Sequence, residues 1–174
     1  LPGTTSLDGA TLVAALKDVV KEFARHGVRK ICLVNGHFEN SWFIVEAIDL
    51  ALRELRWDGV TDLKVVVLSY WDFVHKEAIC ELYPGGFPGW DVEHGGVLET
   101  SLMLALHPQF VHLDRAVDHP PATFPPYDVY PVKREWTPAP GTLSSPREAS
   151  VEKGHILLDV CTRGIIDALR GEFG

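Results

Sequence analysis

"KICLVNGHFENSWFIVEAIDLALRELRWDGVTDLKVVVLSY", residues 30–70, decides the fold. Its first six residues, "KICLVN", form a short apolar run rich in branched side chains, as a buried strand requires. "NSWFIVEAIDLALRELRWDG" then places Phe43, Ile44, Ala47, Ile48, Ala51, Leu52 and Leu55 at helical spacing, and "LKVVVLSY" is a second apolar run. Strand, helix, strand, with strands too apolar to face water on either side, predicts a crossover onto a parallel sheet covered by helices on both faces. Working outward, Leu12, Val13, Leu16, Val19, Val20 and Phe23 predict a helix from Asp8 to His26 that stops at Gly27. The expected fold is α/β, three layers (α/β/α) around a mainly parallel sheet.

Regularity weakens after Trp71. A short helix near Lys76 to Leu82 leads into "YPGGFPGWDVEHGG", where glycine and proline punctuate a loop expected to close over something. "GVLETSLMLALHP" is a further helix. Residues 108–150 hold most of the prolines, including "DHPPATFPPYDVYPV", and predict an irregular segment that wraps the surface or a subunit neighbour. In the last helix, Ser145 is the expected N-cap, Pro146 the first helical residue and Glu148 the third, a capping box. Leu157, Val160, Cys161 and Ile165 supply its buried stripe. The sequence reads as one domain over 1–174, without internal repeats.

The 174 residues suffice for one real core, and 46% hydrophobic content suits a globular chain. Sixteen basic against 24 acidic residues give a net charge of −8, which argues against nucleic-acid or anionic-membrane partners and favours small molecules or cations. Cys32, Cys80 and Cys161 lack metal-type spacing and an even count, so reduced thiols and a cytoplasmic setting are expected. No apolar run approaches the roughly 20 residues of a membrane span, and no basic-then-apolar leader stands at the start. The chain opens on "LPGTTSLDGATL", without an initiator methionine, as a turn running into a helix.

Three clusters carry candidate chemistry. "NGHFEN" falls at the carboxyl end of a parallel strand, just before a helix, where α/β sheets bind ligands. Gly36 lets the backbone approach closely, and Asn35 and Asn40 suit the turn and the cap. His37 and Glu39 bear donors for Zn²⁺ or Mn²⁺; at alternate positions of a non-helical segment they would point apart, toward two neighbouring metals. Capping, solvation or a hydrogen-bonded core histidine would account for the same residues. "GWDVEHGG" offers Trp90, Asp91, Glu93 and His94: either a histidine tuned as acid and base by carboxylates, or a helix N-terminus whose acidic residues match the dipole. "SYWDF" ends the second strand, with Trp71 as core or as a pocket wall. Two ligands are too few for a catalytic metal, which takes about three protein ligands, or about five for a pair. No G-x-S-x-G, P-loop, dinucleotide fingerprint, H-E-x-x-H or C-x-x-C is present, which removes serine, phosphoryl-transfer and NAD mechanisms. The histidines at 26, 75, 107, 112, 119 and 155 are left to surface or structural roles.

"PGTTSLDGATL", "NGHFENS", "VVVLSYWDF", "GWDVEHGG", "ETSLMLAL" and "DHPPATFPPYDV" closely resemble the creatininase family in order and spacing. The resemblance implies a hydrolase with two Zn²⁺ or Mn²⁺ ions that opens the cyclic amide of creatinine to creatine, reversibly, in a homohexamer. His37 would bind one metal and Glu39 the other. His94 would be the catalytic acid and base with Glu93 beside it, and Trp71 and Trp90 would close over the substrate. Asp91 with Glu93 would hold the guanidine portion or orient the histidine; Gly36 and Phe38 would line the site. Phe38 departs from the family's tyrosine and removes a hydroxyl contact to substrate. The resemblance is to the C-terminal two-thirds, without the N-terminal strands and the segment bearing a glutamate, a histidine and an aspartate ligand, so weak metal binding and slow turnover are expected of these residues alone. A related amidohydrolase acting on another cyclic or formyl amide, or a non-catalytic assembly piece, are the alternatives.

Overall fold

The computed structural model describes residues 5–174, so the turn expected at the opening residues 1–4 lies outside it. The chain forms two compact units: the first runs to Asp72 and takes back Gly164–Gly174, and the second is Phe73–Arg163.

In the first unit, helix α1 (Gly9–Arg25) leads to strand β1 (Lys30–Asn35), helix α2 (Asn40–Trp57) and strand β2 (Lys64–Ser69). β1 and β2 pair in parallel, with Ile31 opposite Val65 and Asn35 opposite Ser69. The expected α/β fold with a parallel sheet is therefore present. Both helices end the same way. Gly27 takes φ +88° and Gly59 +83°, and the amide after each bonds back to a carbonyl of the last turn, Val28 to Phe23 and Val60 to Leu55. Only glycine adopts that left-handed step freely, and it turns the chain out of each helix toward the next strand. α1 packs on α2. Between them and the sheet, Val20, Ile31 and Ala51 form a buried cluster edged by Leu16, Leu33 and Val65, the apolar faces that the spacing requires.

Lys30 and Lys64 stand opposite each other at the start of the two strands. Both donate to the end of helix α5 (Val151–Phe173): Lys30 to the Phe173 carbonyl, and Lys64 to the Glu172 carbonyl at 2.8 Å and its carboxylate at 2.5 Å. Cations there satisfy orphan carbonyls and complement the helix dipole.

The second unit holds α3 (Lys76–Leu82), α4 (Val97–Leu106) and the first half of α5. Leu82, Leu98, Ser101 and Leu157 are fully buried. Gly154 lies so close to α4 that a Cβ would run into the Ser101 carbonyl, so only glycine permits this helix contact. The Pro-rich stretch contains short 3₁₀ turns such as Pro108–Phe110 and Arg134–Trp136, and no α-helix or strand.

α5 begins at Val151, not at Ser145. Ser150 is the cap: its hydroxyl accepts from the Lys153 amide at 3.2 Å and its own amide donates to Ser101 Oγ at 3.2 Å. The Ser145 hydroxyl accepts from Arg147 at 3.4 Å and closes only a local turn. The tertiary bond to α4 selects the later start over a sequence signal that would serve equally well in isolation.

Candidate functional site

The first group of candidate residues is built on the carboxyl ends of β1 and β2. Asn35 is buried and organises the turn that follows. Its amide nitrogen donates to Ser41 Oγ at 3.2 Å and to Ser69 Oγ at 3.4 Å, so the two strand ends are linked through it. Its side-chain oxygen accepts from the His37 amide at 3.1 Å and from Asn40 Nδ2 at 3.4 Å. Asn40 is the first residue of α2 rather than its cap, a position that falls to Glu39.

His37 and Glu39 do not diverge. His37 Nδ1 lies 2.8 Å from a Glu39 carboxylate oxygen. The reason is local: the Asn40 amide bonds to the His37 carbonyl and the Ser41 amide to that of Phe38, and Glu39 has helical φ and ψ. The turn folds the chain back on itself and brings the two side chains together; even in extended chain, positions two apart share a face, so the spacing alone gives no reason for divergence. The two side chains remain 52% and 63% exposed, open to a ligand from solution. Gly36 and Phe38 are exposed beside them, and the Phe38 ring meets Trp42 edge to face at 5.6 Å.

Trp71 sits in a 3₁₀ turn, Tyr70–Phe73, directly after β2. The Asp72 carboxylate fixes that turn by accepting from the Ser69 amide at 2.7 Å. The indole is half-buried and its ring packs edge-on against Tyr70 at 4.9 Å.

The second group lies between α3 and α4. Gly89, at φ +121°, admits the chain to a 3₁₀ turn, Trp90–Val92. Val92 is buried and anchors the turn, while Trp90 and Asp91 are exposed. The Trp90 ring packs on Phe87 at 5.0 Å, and Phe87 on Tyr83 at 5.0 Å. Glu93 turns inward. One carboxylate oxygen accepts the Tyr83 hydroxyl at 2.5 Å and the other the Leu98 amide at 2.6 Å. Glu99 completes the helix start by accepting from the Gly95 amide at 2.5 Å. Acidic residues at the head of α4 thus satisfy its open amides, and Glu93 is tied into that arrangement.

Burial raises the pKa of Glu93, against the lowering effect of its bonds to Tyr83 and Leu98. Burial and the adjacent Glu93 push the Tyr83 phenol up, so its hydroxyl stays protonated as the donor. His94 follows, half-buried, with its carbonyl accepting the Leu143 amide at 2.9 Å. Leu143 in turn accepts from Ala122 at 2.7 Å, so the Pro-rich stretch supports the His94 turn from behind. Gly96 has no room for a Cβ, which would meet Ser144 Oγ and both Glu93 oxygens.

Tyr83, Phe87 and Leu143 were not singled out as candidates in the sequence. Tyr83 lies 10 residues before Glu93 and Leu143 lies 49 after His94, separations that carry no periodic signal. As metal donors, imidazole and carboxylate at 2.8 Å suit Zn²⁺ or Mn²⁺. Among the described residues, no group of three or more His, Cys, Asp and Glu is gathered to hold an ion; His37 and Glu39 stand there as a pair of donors.

The first unit thus carries an imidazole–carboxylate pair at its strand ends, and the second a histidine turn at a helix head. The chain belongs to the creatininase family, described as creatinine amidohydrolase, which matches residues 1–169. It is 68% identical over 173 residues to a creatinine amidohydrolase of Pseudomonas putida, covering 99% of this chain and 66% of that protein. Two solved creatininase structures, a Mn form and a glutamate-to-glutamine mutant complexed with creatine, are each 67% identical with a TM-score of 0.96. Both cover 99% of this chain and 68% of theirs. The chain thus spans about two-thirds of the length of the curated relative it matches.

Proposed function

We propose that this chain carries out, or forms part of an enzyme that carries out, metal-dependent hydrolysis of the cyclic amide of creatinine to creatine, in the reversible sense. The observation that carries the reading is the 68% identity to a creatinine amidohydrolase across nearly the whole chain. The paired His37 and Glu39 and the braced His94 turn lie inside the matched span.

His37 and Glu39 would hold the metal, Zn²⁺ or Mn²⁺, through imidazole nitrogen and carboxylate oxygen. Such an ion supplies Lewis acidity toward the amide carbonyl and lowers the pKa of water near neutrality. His94 delivers a proton to the ring nitrogen as the amide bond breaks; without it the nitrogen leaves as a poor anion and the bond re-forms. Trp71 and Trp90 present flat apolar faces to a small planar substrate, and a cationic guanidinium stacks favourably on an indole. Asp91, exposed at the same turn as Trp90, accepts hydrogen bonds from the guanidine portion. Gly36 leaves its backbone accessible, and Phe38 gives the substrate a ring without a hydroxyl. Glu93 serves by holding the turn beside His94.

In the same reading, the 174 residues act as one creatininase-like domain corresponding to the C-terminal two-thirds of such an enzyme, which supplies the remaining ligands. The 66% share of the Pseudomonas putida protein's length supports the extent of that assignment. The assembly would be a homohexamer to which 108–150 contributes, and the setting cytoplasmic. No helix among the described residues is long and apolar enough to cross a membrane.

The test is creatinine hydrolysis by the chain loaded with Zn²⁺ or Mn²⁺, at high protein concentration because the partial ligand set predicts slow turnover. Metal-dependent creatine formation supports the reading. Metal uptake without any such formation would remove activity of the chain by itself, and the same result for an enzyme that contains this chain with the remaining ligands would remove the reading.

A further inference from the structure

We propose that Tyr83 is a positioning residue that holds Trp90 and His94 in one arrangement by two separate contacts of a single side chain; the role rests on the reading of those two residues given above. Tyr83 is buried at the end of α3. Its own amide bonds to the Ile79 carbonyl at 2.9 Å and its carbonyl accepts from Gly86 at 3.0 Å, so its backbone is fixed where the loop begins. From there the ring and the hydroxyl act on different parts of that loop. The ring packs on Phe87 and, through it, on Trp90, each step 5.0 Å between centroids. The hydroxyl donates to Glu93 at 2.5 Å, the residue directly before His94.

His94 is constrained on both sides. Ahead of it, Glu93 is bonded to Tyr83 and to the Leu98 amide; behind it, the Leu143 amide bonds to the His94 carbonyl. The carboxylate lies against Gly96, where a Cβ would meet both Glu93 oxygens. Removing the hydroxyl leaves one oxygen of a buried carboxylate without its donor while the other stays on the Leu98 amide, and the freed oxygen must turn toward another donor or toward water. In the proposed role, the part of that movement not absorbed by the Glu93 side chain passes into the link to His94, whose carbonyl is still held, and re-aims the imidazole. The ring is buried and packed on Phe87, with Lys153 Nζ 5.9 Å from its centre, so it keeps its place when the hydroxyl is lost. The hydroxyl therefore acts on His94 and the ring on Trp90.

Two variants separate these effects. The readouts are NMR signals of the His94 imidazole and the Trp90 indole, assigned with His94→Ala and Trp90→Phe. Tyr83→Phe is expected to move the His94 signals and leave the Trp90 indole near its wild-type position. Phe87→Leu is expected to do the reverse. A purely structural role would loosen the unit as a whole and shift both groups in both variants; that result, or unchanged His94 signals in Tyr83→Phe, would overturn the proposal. If Tyr83→Phe fails to fold, Tyr83→Phe combined with Glu93→Gln removes the stranded charge and keeps an acceptor for the Leu98 amide; the hydroxyl's hold is still lost, so the His94 signals should again move, by less than in the single variant, and unchanged signals would overturn the proposal.

In turnover, Tyr83→Phe should lower kcat about tenfold or more with KM within about twofold, and Phe87→Leu should raise KM with the smaller loss in kcat. A wild-type chain that did not hydrolyse creatinine, by itself or within an enzyme that adds the remaining ligands, would refute the functional reading, while the NMR comparison would still decide the role of Tyr83.

Discussion

At the His37 turn the side chains offered to a ligand are more than half exposed and bonded to each other, and the His37 amide is held by Asn35. At the His94 turn, Glu93 is bonded to Tyr83 and to the Leu98 amide, and the His94 carbonyl to Leu143. The contrast follows from the tasks proposed for the two turns. A donor pair that is to receive an ion gains its final geometry from the ion, so fixing it in advance adds little. A group that must deliver a proton to one atom has no such partner to set its aim, and the fold must set it.

The largest effect expected is on turnover. His94→Ala should lower metal-dependent creatinine hydrolysis by about 10²- to 10⁴-fold, the usual span of acid–base catalysis, with metal content per chain unchanged by elemental mass spectrometry. Next comes stability, where the two turns should behave oppositely. Glu93→Ala leaves the Tyr83 hydroxyl and the Leu98 amide without their acceptor and should cost roughly 1–3 kcal/mol for each buried group left unmade. Glu39→Ala, at an exposed position, should stay within about 0.5 kcal/mol while lowering metal uptake. Urea denaturation of both variants checks this, and equal losses would erase the contrast.

A subtler difference lies in pH. The carboxyl of Glu93 has its pKa raised by burial, so between the ordinary carboxylate range and that raised value the folded chain binds more protons than the unfolded one. Its contribution to stability is therefore present at low pH and is lost as pH rises through the raised value. Glu93→Gln should flatten that fall in the urea midpoint measured across a pH series. The Gln variant falling as steeply as wild type would show that another group is responsible. A local loss, in neither turn, is expected from His75→Ala: His75 caps α3 through the Ala78 amide at 3.3 Å, and its removal should lower the urea-derived stability by about 0.5–2 kcal/mol, toward the low end at that distance.

The fold was legible where local pattern and packing agree. β1 and α3 occur at the expected residues, and Gly27 ends α1 as its position suggests. Legibility failed where a tertiary bond chose between equivalent local signals. Ser145 and Ser150 both suit a helix start, and only the bond from Ser150 to Ser101 separates them. It failed again at His37 and Glu39: the turn is where the sequence places it, but the two side chains, expected to point apart, meet at 2.8 Å. At the second turn, either an acid–base histidine or a helix head with matched acids could be read from "GWDVEHGG". The structure shows Glu93 at the helix head, and the contact that makes this informative, from Tyr83, has no sequence signature.

The measurement that bears most directly on the account is creatine formation from creatinine by the metal-loaded chain and by its His94→Ala variant, with metal content determined on the same samples. The account predicts slow, metal-dependent hydrolysis by the wild-type chain, and a loss of at least about 100-fold in the variant at equal metal content. Hydrolysis persisting at the wild-type rate without the His94 imidazole would contradict it.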